Sequence, residues 1–169
     1  MVKVLFVIAQ HNFQDKEFSV PKDILESKGF EVVVASVKKG ECVGMFGSKA
    51  TADVTIDEVN SKDYDALVLV GGSGAIVYVE NKKVLSLVKE MNTDNKIVAA
   101  ICIAPVILAK SGLLEGKKAT VYNFPLSKQY FSLHNVKKLD DNVVVDGNII
   151  TGNGPKAAEE FGNAIAEKL

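Results

Sequence analysis

Short, nearly continuous apolar runs recur along this chain, separated by segments whose apolar positions repeat every three or four residues. Val2–Ala9, Phe30–Val37, Ala66–Val70 and Ile97–Ile101 are rich in β-branched residues and almost wholly apolar. That composition predicts strands covered on both faces, as in a parallel sheet. Between them, Asp15–Lys28, Asn81–Met91 and Ile103–Ser111 carry amphipathic patterns, with Gly29 and Gly112 where C-terminal caps belong. The alternation predicts a doubly wound α/β fold with right-handed crossovers and helices on both faces. Gly40–Asp57 breaks the rhythm and predicts an irregular β excursion before the third core strand. Near the end, Val143–Val145 and Asn148–Thr151 flank Asp146-Gly147, a strong hairpin signal, and a helix is expected over Lys156–Lys168.

No linker, repeat or low-complexity tract divides the 169 residues, so one domain spanning 1–169 is expected. A net charge of −1, with no basic run interleaved with aromatics, predicts neither nucleic acid nor an anionic membrane as partner. No apolar stretch approaches the roughly 20 residues that span a bilayer. The opening MVKVLFVIAQ reads as a buried strand rather than a leader. Cys42 and Cys102, the two cysteines, suggest neither a disulfide framework nor a metal-ligand pair, and a reducing, cytoplasmic setting is expected. With no ligand cluster, no metal or organic cofactor is implied. All 20 basic residues are lysine, so the forked arginine clamp on carboxylates or phosphates is absent.

Three features fall at predicted strand ends, where open α/β sheets bind ligands: Ala9–Glu17, Gly71–Ala75 and Cys102–Pro105. Cys102 follows a strand directly and precedes a helix start at Pro105, an arrangement like a nucleophile elbow. Helix amides pointing at the sulfur are expected to lower its pKa. Gly71-Gly72-Ser73-Gly74-Ala75 lets the backbone approach a ligand and turn N–H groups inward, as an oxyanion site requires. It is not a phosphate loop, because no Gly-Lys-Thr/Ser follows. Glu17 lies four residues before Pro21, which predicts a helix distorted at the glutamate. Cys42, away from any strand-to-helix turn, reads as a loop or packing residue.

Taken together, these features resemble the ThiJ/PfpI superfamily, which includes the parkinsonism-associated deglycase and archaeal intracellular proteases. The resemblance rests on Phe13–Pro21, on Gly71-Gly72 and on Ala100-Ile101-Cys102-Ile103-Ala104-Pro105. Leu114–Thr120 and the closing stretch Asp146–Leu169 add to it. It implies a flavodoxin-like, mostly parallel sheet of the class I glutamine amidotransferase type. It further implies Cys102 as nucleophile, Glu17 as a protonated carboxyl donating to the sulfur, and the N–H groups of Gly72 and Ile103 as the oxyanion site. Homodimers or larger homo-oligomers are common in the family. The chain departs from the pattern in several places. Ile103 stands where protease-like members carry histidine after the cysteine. Ile76 stands where some carry a glutamate, and Asn153 where the family has an arginine. Val121–Pro125 lacks the histidine of the deglycase-like branch. Tyr122, Asn123 and His11 are the auxiliary candidates, with His134 less favoured.

Three functions follow as expectations. The first is a cysteine-dependent hydrolase or lyase acting on small reactive carbonyl compounds or their adducts, glyoxalase- or deglycase-like, through the Cys102 thiolate and Glu17. The second is an intracellular cysteine peptidase, disfavoured because Ile103 cannot protonate a leaving amine. The third is a non-enzymatic redox-sensing or protective protein acting through oxidation of Cys102.

Overall fold

The computed structural model describes all 169 residues. Its centre is a seven-stranded sheet in the order β11-β12-β8-β7-β1-β3-β6. These strands are β1 (Lys3–Val7), β3 (Glu31–Ser36), β6 (Val54–Thr55), β7 (Ala66–Leu69), β8 (Ile97–Ile101), β11 (Val143–Asp146) and β12 (Ile149–Gly152). All neighbours pair in parallel except β11, which closes the edge antiparallel to β12 across the Asp146-Gly147 turn.

Alternate residues of each strand feed two separate cores, because successive side chains point to opposite faces. Leu5, Val7, Leu67, Leu69, Val98 and Ala100 pack under α2 (Lys82–Thr93), α3 (Pro105–Lys110) and α4 (Pro125–Leu133). Val4, Phe6, Ala66, Val68, Ala99 and Ile101 pack under α1 (Asp15–Ser27) and α5 (Ala158–Lys168). The expected strands and helices are present, with ends shifted by a few residues at most. Gly29 and Gly112 take left-handed φ of +84° and +87° at helix ends.

The Gly40–Asp57 excursion forms a second, three-stranded sheet. In it β4 (Gly40–Gly44) pairs antiparallel with β5 (Lys49–Ala52) and parallel with β2 (His11–Phe13). A short pair, β9 (Lys118–Ala119) with β10 (Lys137–Lys138), completes the strands. Whatever distortion Pro21 imposes at Glu17 does not interrupt the helix, and α1 runs from Asp15 to Ser27 with Pro21 inside it. Pro21 is also a packing surface: a side chain added at Gly162 of α5 would lie 2.9 Å from its Cα. Glycine there lets α5 press directly on the proline.

The chain leaves β1 through α1 to β3 on one side, and later returns to β7 on the other. A crevice therefore opens at the carboxyl ends of β1, β7 and β8, the switch point of such sheets.

Candidate active site

Cys102 directly follows β8, with φ of +65°, a left-handed conformation that costs a non-glycine residue about 1–2 kcal/mol. Such strain persists only where the surroundings over-determine it. Here the Cys102 N–H donates to Gly152 O at 2.9 Å, and its carbonyl accepts from Tyr122 N at 2.8 Å. Ala104 N closes the turn onto Ile101 O at 3.1 Å. The elbow is thus bolted to the end of β12 on one side and to the Tyr122 segment on the other.

Glu17 comes from the first turn of α1 and is fully buried. Gln14 sets its position: the Gln14 side chain caps the helix by accepting from Glu17 N at 2.9 Å, while Gln14 N donates to Gly71 O at 3.0 Å. Neither carboxyl oxygen of Glu17 meets a hydrogen-bonding nitrogen or oxygen. The polar group facing it is the Cys102 sulfur. Burial pushes the Glu17 carboxyl up to about 8, only partly opposed by the thiol. The acid is therefore mostly neutral at pH 7 and close enough to neutrality to exchange protons.

Gly71 and Gly72 run through the same space. A Cβ at Gly71 would lie 2.6 Å from Cys102 Cβ and 3.0 Å from Glu17 Oε1. Gly72 has φ of +104°, and a side chain there would collide with the backbone of Asn12, Phe13 and Gln14. The amides of Gly72 and Ile103 donate to no backbone carbonyl and face the sulfur instead.

The thiol does not have the lowered pKa expected from its position. Burial pushes Cys102 up, negative charge on Glu17 would push it further, and the two amides pull it down by less. Two features defeat the dipole argument: α3 is only six residues long, and Cys102 is buried, only 9 % exposed as a residue. Desolvation outweighs a short helix.

An apolar cavity of about 480 Å³ opens onto Cys102, walled by Met45, Phe46, Ile76, Ile103, Tyr122 and Phe124. None of its lining residues is charged. Beside it lies a polar hollow of about 850 Å³ that carries Lys16, Lys138, Lys156, Asn123 and Asn153. Tyr122 borders both, whereas Asn123 belongs to the polar hollow alone. His11 lies exposed on β2 and lines neither space, and His134 stacks on Tyr130 at the end of α4. No imidazole therefore reaches the sulfur. Cys42 is fully buried among apolar neighbours. No group of three or more His, Cys, Asp or Glu side chains could hold a metal ion. No helix is long and apolar enough to cross a membrane.

Three contributors escaped the sequence reading. Gln14 carried a faint signal, a helix cap three residues before Glu17. Met45 and Phe46 carried none, because a contact across some thirty residues brings them to the site.

An α/β sheet with a cysteine elbow at its switch point and a buried acid beside it defines a class that the comparisons make specific. Residues 2–168 match the DJ-1/PfpI family, and the chain belongs to that family. An uncharacterized protein of Methanocaldococcus jannaschii is 48% identical over 99% of this chain and 82% of its own length. A deglycase of Pyrococcus horikoshii is 38% identical, covering 91% of each chain. The crystal structure of a ThiJ/PfpI domain protein from Brachyspira murdochii superposes with a TM-score of 0.94 at 34% identity, covering 99% of this chain and 97% of that one.

Proposed function

We propose that this protein is a cysteine-dependent enzyme acting on small reactive carbonyl compounds or their adducts, with Cys102 as nucleophile and Glu17 as proton carrier. The reading rests on one observation above all: a fully buried carboxyl with no other polar partner beside a sulfur that two free amides face. Relatives named deglycases support the same direction.

In its ionised form Glu17 takes the thiol proton, and the sulfur adds to the aldehyde carbon of a 2-oxoaldehyde. The carbonyl electron pair moves to oxygen, where the N–H groups of Gly72 and Ile103 meet the developing charge. Glu17 gives the proton taken from the thiol to the neighbouring carbonyl oxygen, and its carboxylate takes the hydrogen of the first carbon as a proton, the C–H electron pair forming a carbon–carbon double bond. Returning that proton to the second carbon lets the first carbon's oxygen re-form a carbonyl, giving a 2-hydroxyacyl thioester and the free carboxylate. Water releases the 2-hydroxy acid and restores the thiol. One carbon is oxidised and its neighbour reduced, so no external redox partner is needed.

A peptidase lacks support, because Ile103 occupies the place where a leaving amine needs a proton donor. A redox-protective role uses the same amides and carboxyl to hold an oxidised sulfur, and it makes the opposite prediction for turnover.

The test compares methylglyoxal loss, casein cleavage and Cys102 alkylation in wild type and Cys102→Ala. Methylglyoxal consumption that disappears in Cys102→Ala, with no casein cleavage, is the expected result. The alkylation rate is expected to climb through about pH 8, where Glu17 ionises, and to lose that inflection in Glu17→Gln. A reactive thiol with no carbonyl turnover would leave the redox role standing and remove the enzymatic one.

A further inference from the structure

The turn joining β4 to β5 hangs over the apolar cavity, and its apolar side chains are exposed, Met45 by 43 % and Phe46 by 78 %. Packing does not hold these two residues in place. Their backbone is held instead, and the holder is Asp15, two residues before Glu17 on the same helix. One carboxyl oxygen of Asp15 accepts from Phe46 N at 2.9 Å. The other accepts from Ser48 N at 2.9 Å and from the Ser48 hydroxyl.

Gly44 makes room for this latch, since a Cβ there would lie 2.6 Å from the Asp15 carboxyl carbon. Met45 N adds a bond to Phe13 O at 2.8 Å, and Gly44 N one to Ser48 O at 2.8 Å. Slight burial raises the Asp15 pKa, but the Ser48 hydroxyl and the Phe46 and Ser48 amides more than offset it, so the carboxylate is the favoured form. An acceptor-only group is what three converging donors require.

We propose that Asp15 is a positioning residue that latches Met45 and Phe46 across the mouth of the Cys102 cavity, and that the wall so formed makes the site select carbonyl compounds bearing an apolar arm. The proposal rests on Cys102 being the nucleophile and adds the substrate class. The cavity has the size of a small-ligand site, its walls carry no charge, and it opens directly onto the sulfur. Charged carbonyl compounds find no partner there, because Lys16, Lys138 and Lys156 border the neighbouring hollow.

The test alkylates the full-length protein with iodoacetamide and with its N-phenyl derivative. Labelling at Cys102 is read by mass spectrometry, and each rate is divided by that of a free small thiol. The ratio of the two corrected rates cancels changes in the sulfur itself. Burying part of a phenyl ring predicts a preference of about fivefold for the aryl reagent in wild type, falling to about twofold or less in Phe46→Ser and in Asp15→Asn. Asn at position 15 offers one oxygen where two are used, and turns an N–H toward another N–H. The Asp15→Asn, Phe46→Ser double variant is expected to fall no further than Phe46→Ser alone, which a merely structural role of Asp15 does not predict.

A reactive Cys102 without aryl preference overturns this proposal and leaves the nucleophile reading intact. Inertness to both reagents overturns both. Retention of the preference in Asp15→Asn, or additive losses in the double variant, removes Asp15 from the wall. A drop in assembly size on Phe46→Ser with unchanged preference would assign the apolar rim to a second copy of the chain, and overturn the proposal as well.

Discussion

Between pH 5 and pH 8 the wild-type protein is expected to lose on the order of 3 kcal/mol of folding stability relative to Glu17→Gln. The sign follows from proton counts. An unfolded glutamate ionises near 4.5, whereas the folded chain keeps the Glu17 proton up to about 8. Across that interval the unfolded state binds fewer protons, so raising the pH favours unfolding. Above about 8 both states are ionised and the penalty stays constant. Glutamine fills the same space without ionising, and its stability lacks this slope. Asp15, Glu58, Glu90 and Asp140 are shifted downward, so their contributions are present over the whole interval. All other titrating groups are shared and cancel in the difference. Urea unfolding at several pH values reads the result directly. Parallel curves for the two proteins would mean that the carboxyl is already charged in the folded state, and the proton-carrier role would fail with it.

Gly71→Ala is expected to cost about 1–3 kcal/mol and to slow Cys102 alkylation more than tenfold. The added methyl lands between the thiol-bearing and carboxyl-bearing side chains, 2.6 Å from Cys102 Cβ, 2.7 Å from Ile101 O and 3.0 Å from Glu17 Oε1. Ile101 O is backbone at the end of β8, held by the Ala104 N–H, and has little room to retreat. The yielding part is therefore the left-handed elbow, which already stores strain. Thermal melts give the stability change, and alkylation of protein shown to be folded by near-ultraviolet circular dichroism gives the chemical one. Unaltered alkylation in Gly71→Ala would mean that sulfur and acid are not packed as closely as described.

The strands were legible in the sequence because burial on both faces leaves an unbroken apolar run, as in Ile97–Ile101, that no solvated element imitates. The elbow was legible for a related reason: an apolar strand ending at Cys102 and a proline three residues later leave little freedom between them. α4 was not read, since only Ser127 and Phe131 of its nine residues are buried and its periodicity is faint. β9 and β10 are two residues long and mostly lysine, so they carry no strand pattern at all. The direction of the Cys102 shift was misjudged because desolvation depends on what closes over the sulfur, and α1, β7 and the Tyr122 segment arrive from distant parts of the chain. The Asp15 latch was invisible for the same reason. An aspartate at a helix start looks like an ordinary dipole partner until residues 44–48 are seen folded onto it.

The tie from Cys102 N to Gly152 O has a consequence for the order of assembly. It joins the ends of β8 and β12, so the bond forms only once β12 has docked beside β8. Until then the left-handed turn at Cys102 rests on the Tyr122 and Ala104 bonds alone. The final seat of the cysteine and the docking of the last parallel strand are therefore coupled.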